Sequence, residues 1–123
     1  MLLSKHQEIQ DKLRAELLSM KTAERSKCAY MRNVVKETSR LLPVAPLGTA
    51  RRIGRDITCK NNIGSIIIPK DSIMYVPTML LHRNPSVFDR PKEFLPERWE
   101  NATEEMRASV MPFSFGQVRI DQG

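Results

Sequence analysis

No apolar run in the 123 residues approaches the ~18 that a membrane-crossing helix needs. The opening residues Met1-Leu2-Leu3-Ser4-Lys5-His6 also lack the long apolar core of a secretion signal. A membrane anchor, if the complete protein has one, is expected outside this sequence. Cysteine is scarce: Cys28 and Cys59 are too few and too isolated for a disulfide framework or a zinc site, so a reduced compartment is the default. Aromatic residues make up only 6% and prolines number eight, which leaves a thin core and suggests a piece that packs against something larger. Charge of one sign is not concentrated. The net charge is +6, but the 20 lysines and arginines are scattered among 14 acidic residues, no basic run reaches five, and no aromatics interleave with them. That pattern excludes a nucleic-acid-binding strip. There is no internal repeat and no low-complexity tract.

With 41% hydrophobic and 28% charged residues, the composition fits one globular domain rather than a disordered chain. Ser4 with Gln7 reads as a capping box opening a helix. In that helix Ile9, Leu13 and Leu17 share a face, Glu8 and Lys12 form an i,i+4 pair, and the end falls between Met20 and Arg25. A second helix is predicted over residues 27–42, with Met31, Val34, Val35, Leu41 and Leu42 as its apolar stripe and Pro43 and Pro46 as its stop. Strands are predicted over residues 50–59, 65–69 and 72–76. Ile66, Ile67 and Ile68 suit a buried strand, and Pro69-Lys70-Asp71 forms a turn. A short helix over residues 77–83 closes at Asn84-Pro85. The proline-rich stretch that follows is expected to be held by side-chain contacts rather than by a ladder. Asn101 and Glu104 are expected to cap a last helix reaching Ser109. The fold class expected is α+β: two main helices, a small antiparallel sheet and a long irregular loop.

Glu37 and Arg40 stand three apart on the second helix and can pair. On the surface such a pair contributes little. Arg98 lies in Pro96-Glu97-Arg98-Trp99, within the irregular stretch, where its planar guanidinium could reach back to Glu37 and tie loop to helix. His82 stands alone on a short helix and reads as a cap or surface group rather than an iron ligand, and the seven methionines read as core filler. Cys28 and Cys59 read as small thiols of the kind commonly buried.

Glu37-Thr38-Ser39-Arg40, then Pro96-Glu97-Arg98-Trp99, then Pro112-Phe113-Ser114-Phe115-Gly116 resemble, in that order, the C-terminal part of a cytochrome P-450, a haem-thiolate monooxygenase. The passage Leu41-Leu42-Pro43-Val44-Ala45-Pro46, the placing of Arg51 five residues before Asp56, and Pro69-Lys70-Asp71-Ser72 agree with this. The resemblance covers nearly everything up to Gly116. It implies a structural clamp of Glu37, Arg40 and Arg98, and a substrate-pocket edge at Ala45, Pro46, Leu47 and Gly48. It also implies haem contacts from Arg51, which would donate to a propionate, and from Phe113, Gly116 and Arg119. Intact relatives use haem b, dioxygen, apolar small-molecule substrates and electrons from an NADPH-dependent reductase or a ferredoxin; those of eukaryotes reside at the endoplasmic reticulum membrane or in the mitochondrion.

The family's haem loop reads Phe-x-x-Gly-x-Arg-x-Cys-x-Gly, and the match breaks after Gly116. Counted strictly, Val118 stands at the arginine position and Ile120 at the cysteine position; one inserted residue restores Arg119 and Gly123 but puts Asp121 at the ligand position. No cysteine follows Cys59. A hard carboxylate is a poor electronic substitute for a thiolate that drives O–O cleavage, so no residue is assigned a catalytic or metal-binding role. Also missing is the upstream helix that in the family delivers protons to bound oxygen. Gln117-Val118-Arg119 is what CAG-GT(A/G)-AG(A/G) encodes, the usual start of an intron. The expectation is therefore a P-450 segment over residues 1–116 with an aberrant tail, read as translated intron, over residues 117–123. The chain is expected to be inactive as given. The alternative is a non-catalytic interaction protein whose basic surface binds a redox partner.

Overall fold

A computed structural model of the chain describes residues 2–48, 50–61 and 64–112. Phe113, Gly116, Arg119 and the 117–123 tail lie outside the described residues. The first helix, α1 (Gln7–Ser19), follows a 3-10 turn at Leu3–Lys5. Ser4 lies within that turn, so the expected capping box does not form: His6 occupies the cap position, and Gln7 donates to Asp11 Oδ1 at 3.0 Å. Lys12 does not run along its own helix toward Glu8 but crosses to Glu97 at 3.0 Å. A second 3-10 segment, Thr22–Lys27, leads to Cys28, whose sulfur accepts the Met31 N–H and caps α2 (Ala29–Leu41).

The buried residues of α2 are Tyr30, Asn33, Val34, Glu37, Arg40 and Leu41, a stripe at helical spacing with an ion pair at its centre. The apolar stripe read from the sequence is therefore rotated: Val35 and Leu42 are both 58% exposed. Local periodicity favoured the apolar residues, whereas the paired charges decide which face turns inward. Cys28, Tyr30, Val34, Leu41 and Phe94 form the buried cluster, and Ile9, Leu13 and Leu17 of α1 pack against it.

The expected strand over residues 50–59 is two strands. β1 (Ala50–Arg52) and β2 (Ile57–Asn61) are separated by a bend, and β3 (Gly64–Ile68) and β4 (Ile73–Tyr75) follow. They form two antiparallel ribbons, β1 with β4 in the register Arg51↔Met74 and β2 with β3 in the register Cys59↔Ile66. Buried Ile53 continues the β1–β4 pairing, donating its N–H to Ser72 O and accepting the Asp71 N–H at its own carbonyl. Asp56 Oδ1 takes the Lys70 N–H at 2.7 Å and fixes the turn. Ile66 and Ile67 are 60% and 66% exposed, which corrects the buried-strand reading: in a two-stranded ribbon neither face is enclosed unless another layer covers it. Cys59, mid-strand in β2, is exposed as well.

A short helix, α3 (Thr78–Leu81), is fastened to the turn after α2. Thr78 Oγ1 donates to Ala45 O at 2.6 Å and Met79 N–H to Pro46 O at 3.0 Å. Gly48 closes that turn with φ +75°, and a Cβ there would overlap the Val76 carbonyl oxygen. From Asn84 to Thr103 the chain has no regular element except a 3-10 turn at Pro96–Trp99, yet Phe88, Phe94 and Trp99 are buried. The last helix, α4 (Glu104–Ser109), is capped by Thr103, whose hydroxyl accepts the Met106 N–H at 3.1 Å, in place of the expected Asn101 and Glu104. Cap geometry favours the residue immediately before the first helical turn. The architecture is α+β, with α2 at its centre.

Gly48→Ala combines an unfavourable positive φ with backbone overlap. It is expected to lower stability in urea unfolding by about 2 kcal/mol or more, beyond the usual cost of a strained residue alone. A loss under about 0.5 kcal/mol would show that the 45–48 turn does not pack on residues 76–79 as described.

Candidate functional site

The centre of the molecule is the carboxylate of Glu37, on the buried face of α2 and fully enclosed. Its Oε1 accepts from Arg40 Nη2 at 2.8 Å, Arg98 Nε at 2.9 Å and the Leu95 N–H at 3.1 Å. Its Oε2 accepts from Arg40 Nε and from the Trp99 indole N–H, both at 2.9 Å. Helical spacing presents Arg40 to Glu37 as a bidentate fork. The 3-10 turn Pro96–Trp99 delivers the other side chains on consecutive residues.

The two guanidiniums have their remaining donors occupied by backbone. Arg40 Nη1 donates to the carbonyls of His82 and Pro91, each at 2.7 Å, and Nη2 to that of Glu93 at 3.1 Å. With the two bonds to Glu37, all five of its N–H donors are used. Arg98 Nη1 and Nη2 donate to the carbonyls of Asp89 and Arg90 at 2.6 and 3.1 Å. The carbonyls at 82, 89, 90, 91 and 93 thus accept from arginine side chains in a stretch that lacks a ladder. Arg40 also lies 5.1 Å from the Phe88 ring centre, with Phe88 in turn beside Trp99.

Burial is the largest single influence on Glu37 and opposes its ionisation. The hydrogen bonds from Arg40 and Leu95 and the charges of Arg40 and Arg98 outweigh it, and the carboxyl titrates below its ordinary value. Because the folded value is depressed, the stabilisation is complete above the unfolded carboxyl range and is lost as pH falls through the lower folded value.

A second carboxylate anchors the same turn. Glu97 Oε1 accepts from the Tyr30 hydroxyl at 2.9 Å and from Lys12 Nζ at 3.0 Å, with Lys12 lying 4.1 Å from the centre of the Tyr30 ring. Burial, then the hydrogen bond and charge of Glu97, pushes the Tyr30 hydroxyl well above its usual value. Sequence reasoning did not single out Trp99, Glu97 or Tyr30 as site residues. The available signal was a buried-type indole next to Arg98, since an enclosed Trp N–H needs an acceptor.

Of the other residues read from the sequence, Ala45, Pro46, Leu47 and Gly48 form one turn, closed by the Gly48 N–H to Ala45 O at 2.9 Å. Arg51 lies on β1 and is not among the groups gathered at Glu37. His82 is fully buried, not a surface group. Its Nδ1 faces Arg40 O at 3.1 Å and its Nε2 accepts the Met111 N–H at 2.8 Å.

The family model for cytochrome P450 matches residues 1–119. Cheilanthifoline synthase of Eschscholzia californica is 35% identical over 129 residues, covering 94% of this chain and 25% of that protein. Probable cytochrome P450 4p3 of Drosophila melanogaster is 35% identical over 115 residues, covering 91% of this chain and 21% of that protein. The chain belongs to the cytochrome P450 family. It spans about a quarter of the length of these relatives. A third, flavonoid-6-hydroxylase of Mentha piperita, is 38% identical over 93 residues, covering 72% of this chain and 17% of that protein.

Cytochrome P450s imply haem, and the donors present can be tested for it. Among the described residues no three His, Cys, Asp or Glu side chains converge as a metal site. Cys28 is enclosed as the α2 cap with its sulfur 3.6 Å from Glu16 Oε2, Cys59 sits on the open β2–β3 ribbon, and both ring nitrogens of His82 are taken. These donors do not supply the iron ligand of a P450.

Glu37→Gln strands two guanidiniums in the interior and is expected to cost about 3–5 kcal/mol in urea unfolding. Trp99→Phe removes one hydrogen bond to a charged group and should cost about 1.5–3 kcal/mol. Loss of only a few tenths of a kcal/mol from either variant would contradict the buried network.

Proposed function

We propose that residues 1–116 are the C-terminal part of a cytochrome P450 domain and that Glu37, Arg40 and Arg98 are its structural clamp. The reading is supported by one observation above the others: a single enclosed carboxylate gathers both arginines together with Trp99 and the Leu95 N–H. Such a network fixes the irregular run that leads toward Phe113. By this reading Arg51, Phe113, Gly116 and Arg119 correspond to haem-contacting positions and Ala45–Gly48 to the rim of the substrate pocket.

The ancestral activity is insertion of one atom of dioxygen into an apolar small molecule, with electrons from a reductase or ferredoxin. A relative whose name is flavonoid-6-hydroxylase supports that class. The endoplasmic reticulum membrane or the mitochondrion is the location we infer for intact forms; no helix among the described residues is long and apolar enough to cross a membrane. As given, the chain is inactive. Ile120 or Asp121 stands where the thiolate belongs, and residues 117–123 are read as translated intron.

The alternative reading is a non-catalytic interaction protein that binds a redox partner through its basic surface, carried by basic residues other than the two enclosed at Glu37. Arg40 and Arg98 are spent on Glu37 and backbone carbonyls, and Arg25 and Arg83 donate to the carbonyls of Leu17 and Leu41.

Carbon-monoxide difference spectroscopy on the purified chain, reduced in the presence of haem, is expected to give no thiolate-type Soret band. Such a band would refute the inactive reading. The transcript across the Gly116 codon is expected to show the intron-like bases removed in a longer spliced form; the same codons in a spliced message would overturn the origin assigned to the tail.

A further inference from the structure

We propose that His82 is a positioning residue and a proton-sensitive latch, seating residues 110–112 against the end of α2. Three features carry this. His82 and Arg40 grip each other twice, since the Arg40 guanidinium donates to the His82 carbonyl at 2.7 Å while the His82 ring meets the Arg40 carbonyl at 3.1 Å. The ring is fully enclosed, so neither nitrogen can exchange its partner for water. Its second nitrogen accepts the Met111 N–H at 2.8 Å, across 29 residues, a single bond from the α2–α3 junction to the segment beyond α4.

The partners define the tautomer. A backbone N–H can only donate, so Nε2 carries no proton, and Nδ1–H donates to Arg40 O. The latch therefore requires neutral imidazole. Protonation would set an N–H at Nε2 directly against the Met111 N–H and would add a third positive charge to those of Arg40, across the junction on α2, and Arg83, next in the chain. These two are the charges that act on the ring. Burial first, then both guanidiniums, hold its pKa below the ordinary histidine value, against the opposing pull of the Arg40 carbonyl. With the folded value depressed, the unlatched ring takes up a proton more readily. The latch is complete above about pH 6.5 and is lost as pH falls through the lower value of the seated ring. This inference does not depend on haem, and it can fail or stand independently of the reading given under Proposed function.

Amide hydrogen exchange at Met111 in the full chain, followed by NMR from about pH 7.5 to pH 5 and corrected for intrinsic exchange, tests it. Protection at Met111 is expected to fall by up to about tenfold per pH unit below about pH 6.5, where the unlatched ring is protonated and the seated ring is not, and to level off once the seated ring titrates, while Val34 and Thr38 in α2 stay protected. In His82→Gln the side-chain carbonyl can accept the Met111 N–H without titrating, and the pH dependence should vanish. His6→Gln, at the chain's other histidine, should keep the wild-type profile. Constant protection at Met111 in the wild type would overturn the latch. So would a fall in step with α2, or a pH dependence that survives His82→Gln. If His82→Gln does not fold, the contrast between Met111 and α2 in the wild type and in His6→Gln decides the matter.

Discussion

A carboxylate sealed from water must be matched by donors on every side, and Glu37 is the place in this molecule where that requirement organises everything else. Burial alone would neutralise it. Bonds from two guanidiniums, an indole and a backbone amide keep it ionised. Coulomb attraction is not the main reason for such an arrangement, because an apolar replacement of equal shape is often as stable as a buried ion pair. What an apolar cluster could not do is hold backbone carbonyls. Arg40 and Arg98 together hold those at 82, 89, 90, 91 and 93, in a stretch with too many prolines and too little periodicity to pair with itself. The ion pair acts as the missing ladder of an irregular segment.

How far the sequence reveals this differs from link to link. Spacing three apart makes the meeting of Glu37 and Arg40 a property of the helix, readable without coordinates. Nothing local brings Arg98 to the same carboxylate, and that step rests on a resemblance to a known pattern rather than on periodicity. Where only local pattern was available, it misled in a consistent direction. Val35, Leu42, Ile66 and Ile67 look like core and are exposed, while His82 looks like surface and is enclosed. Apolarity sets a preference for burial, but the partners that satisfy a charge or an imidazole lie dozens of residues away and decide which face turns inward. Caps show the same limit on a smaller scale. Ser4 has suitable chemistry for a cap, yet a 3-10 turn absorbs it, whereas Cys28 caps α2 with a sulfur.

The two β ribbons show what remains unenclosed. Each has two strands, which alone are marginal, and Ile66, Ile67, Ile73 and Tyr75 present apolar surface on them. Beside them the turn at residues 45–48 is fastened to α3 by Thr78 and Met79. These are backbone-centred contacts of modest energy, in contrast to the saturated network around Glu37. Stability is therefore distributed unevenly, highest where α2 meets Pro96–Trp99 and lowest at the β2–β3 ribbon.

Clamp and ligand place separate physical demands on a P450 sequence. The clamp needs one carboxylate, two planar cations and a turn that delivers Arg98 and Trp99 in succession, all of it before residue 100. The family's thiolate position lies beyond Gly116, and the bonds that satisfy Glu37 are complete without reaching it. Between the two lies the His82–Met111 bond, the one described hydrogen bond that joins the Arg40 end of α2 to the run entering the family's haem loop. Arg40 reaches His82 with its side chain and is reached by His82 at its backbone, so a disturbance of either residue acts on both ends of that connection. A hydrogen-bonded path thus runs from Glu37 through Arg40 and His82 to Met111.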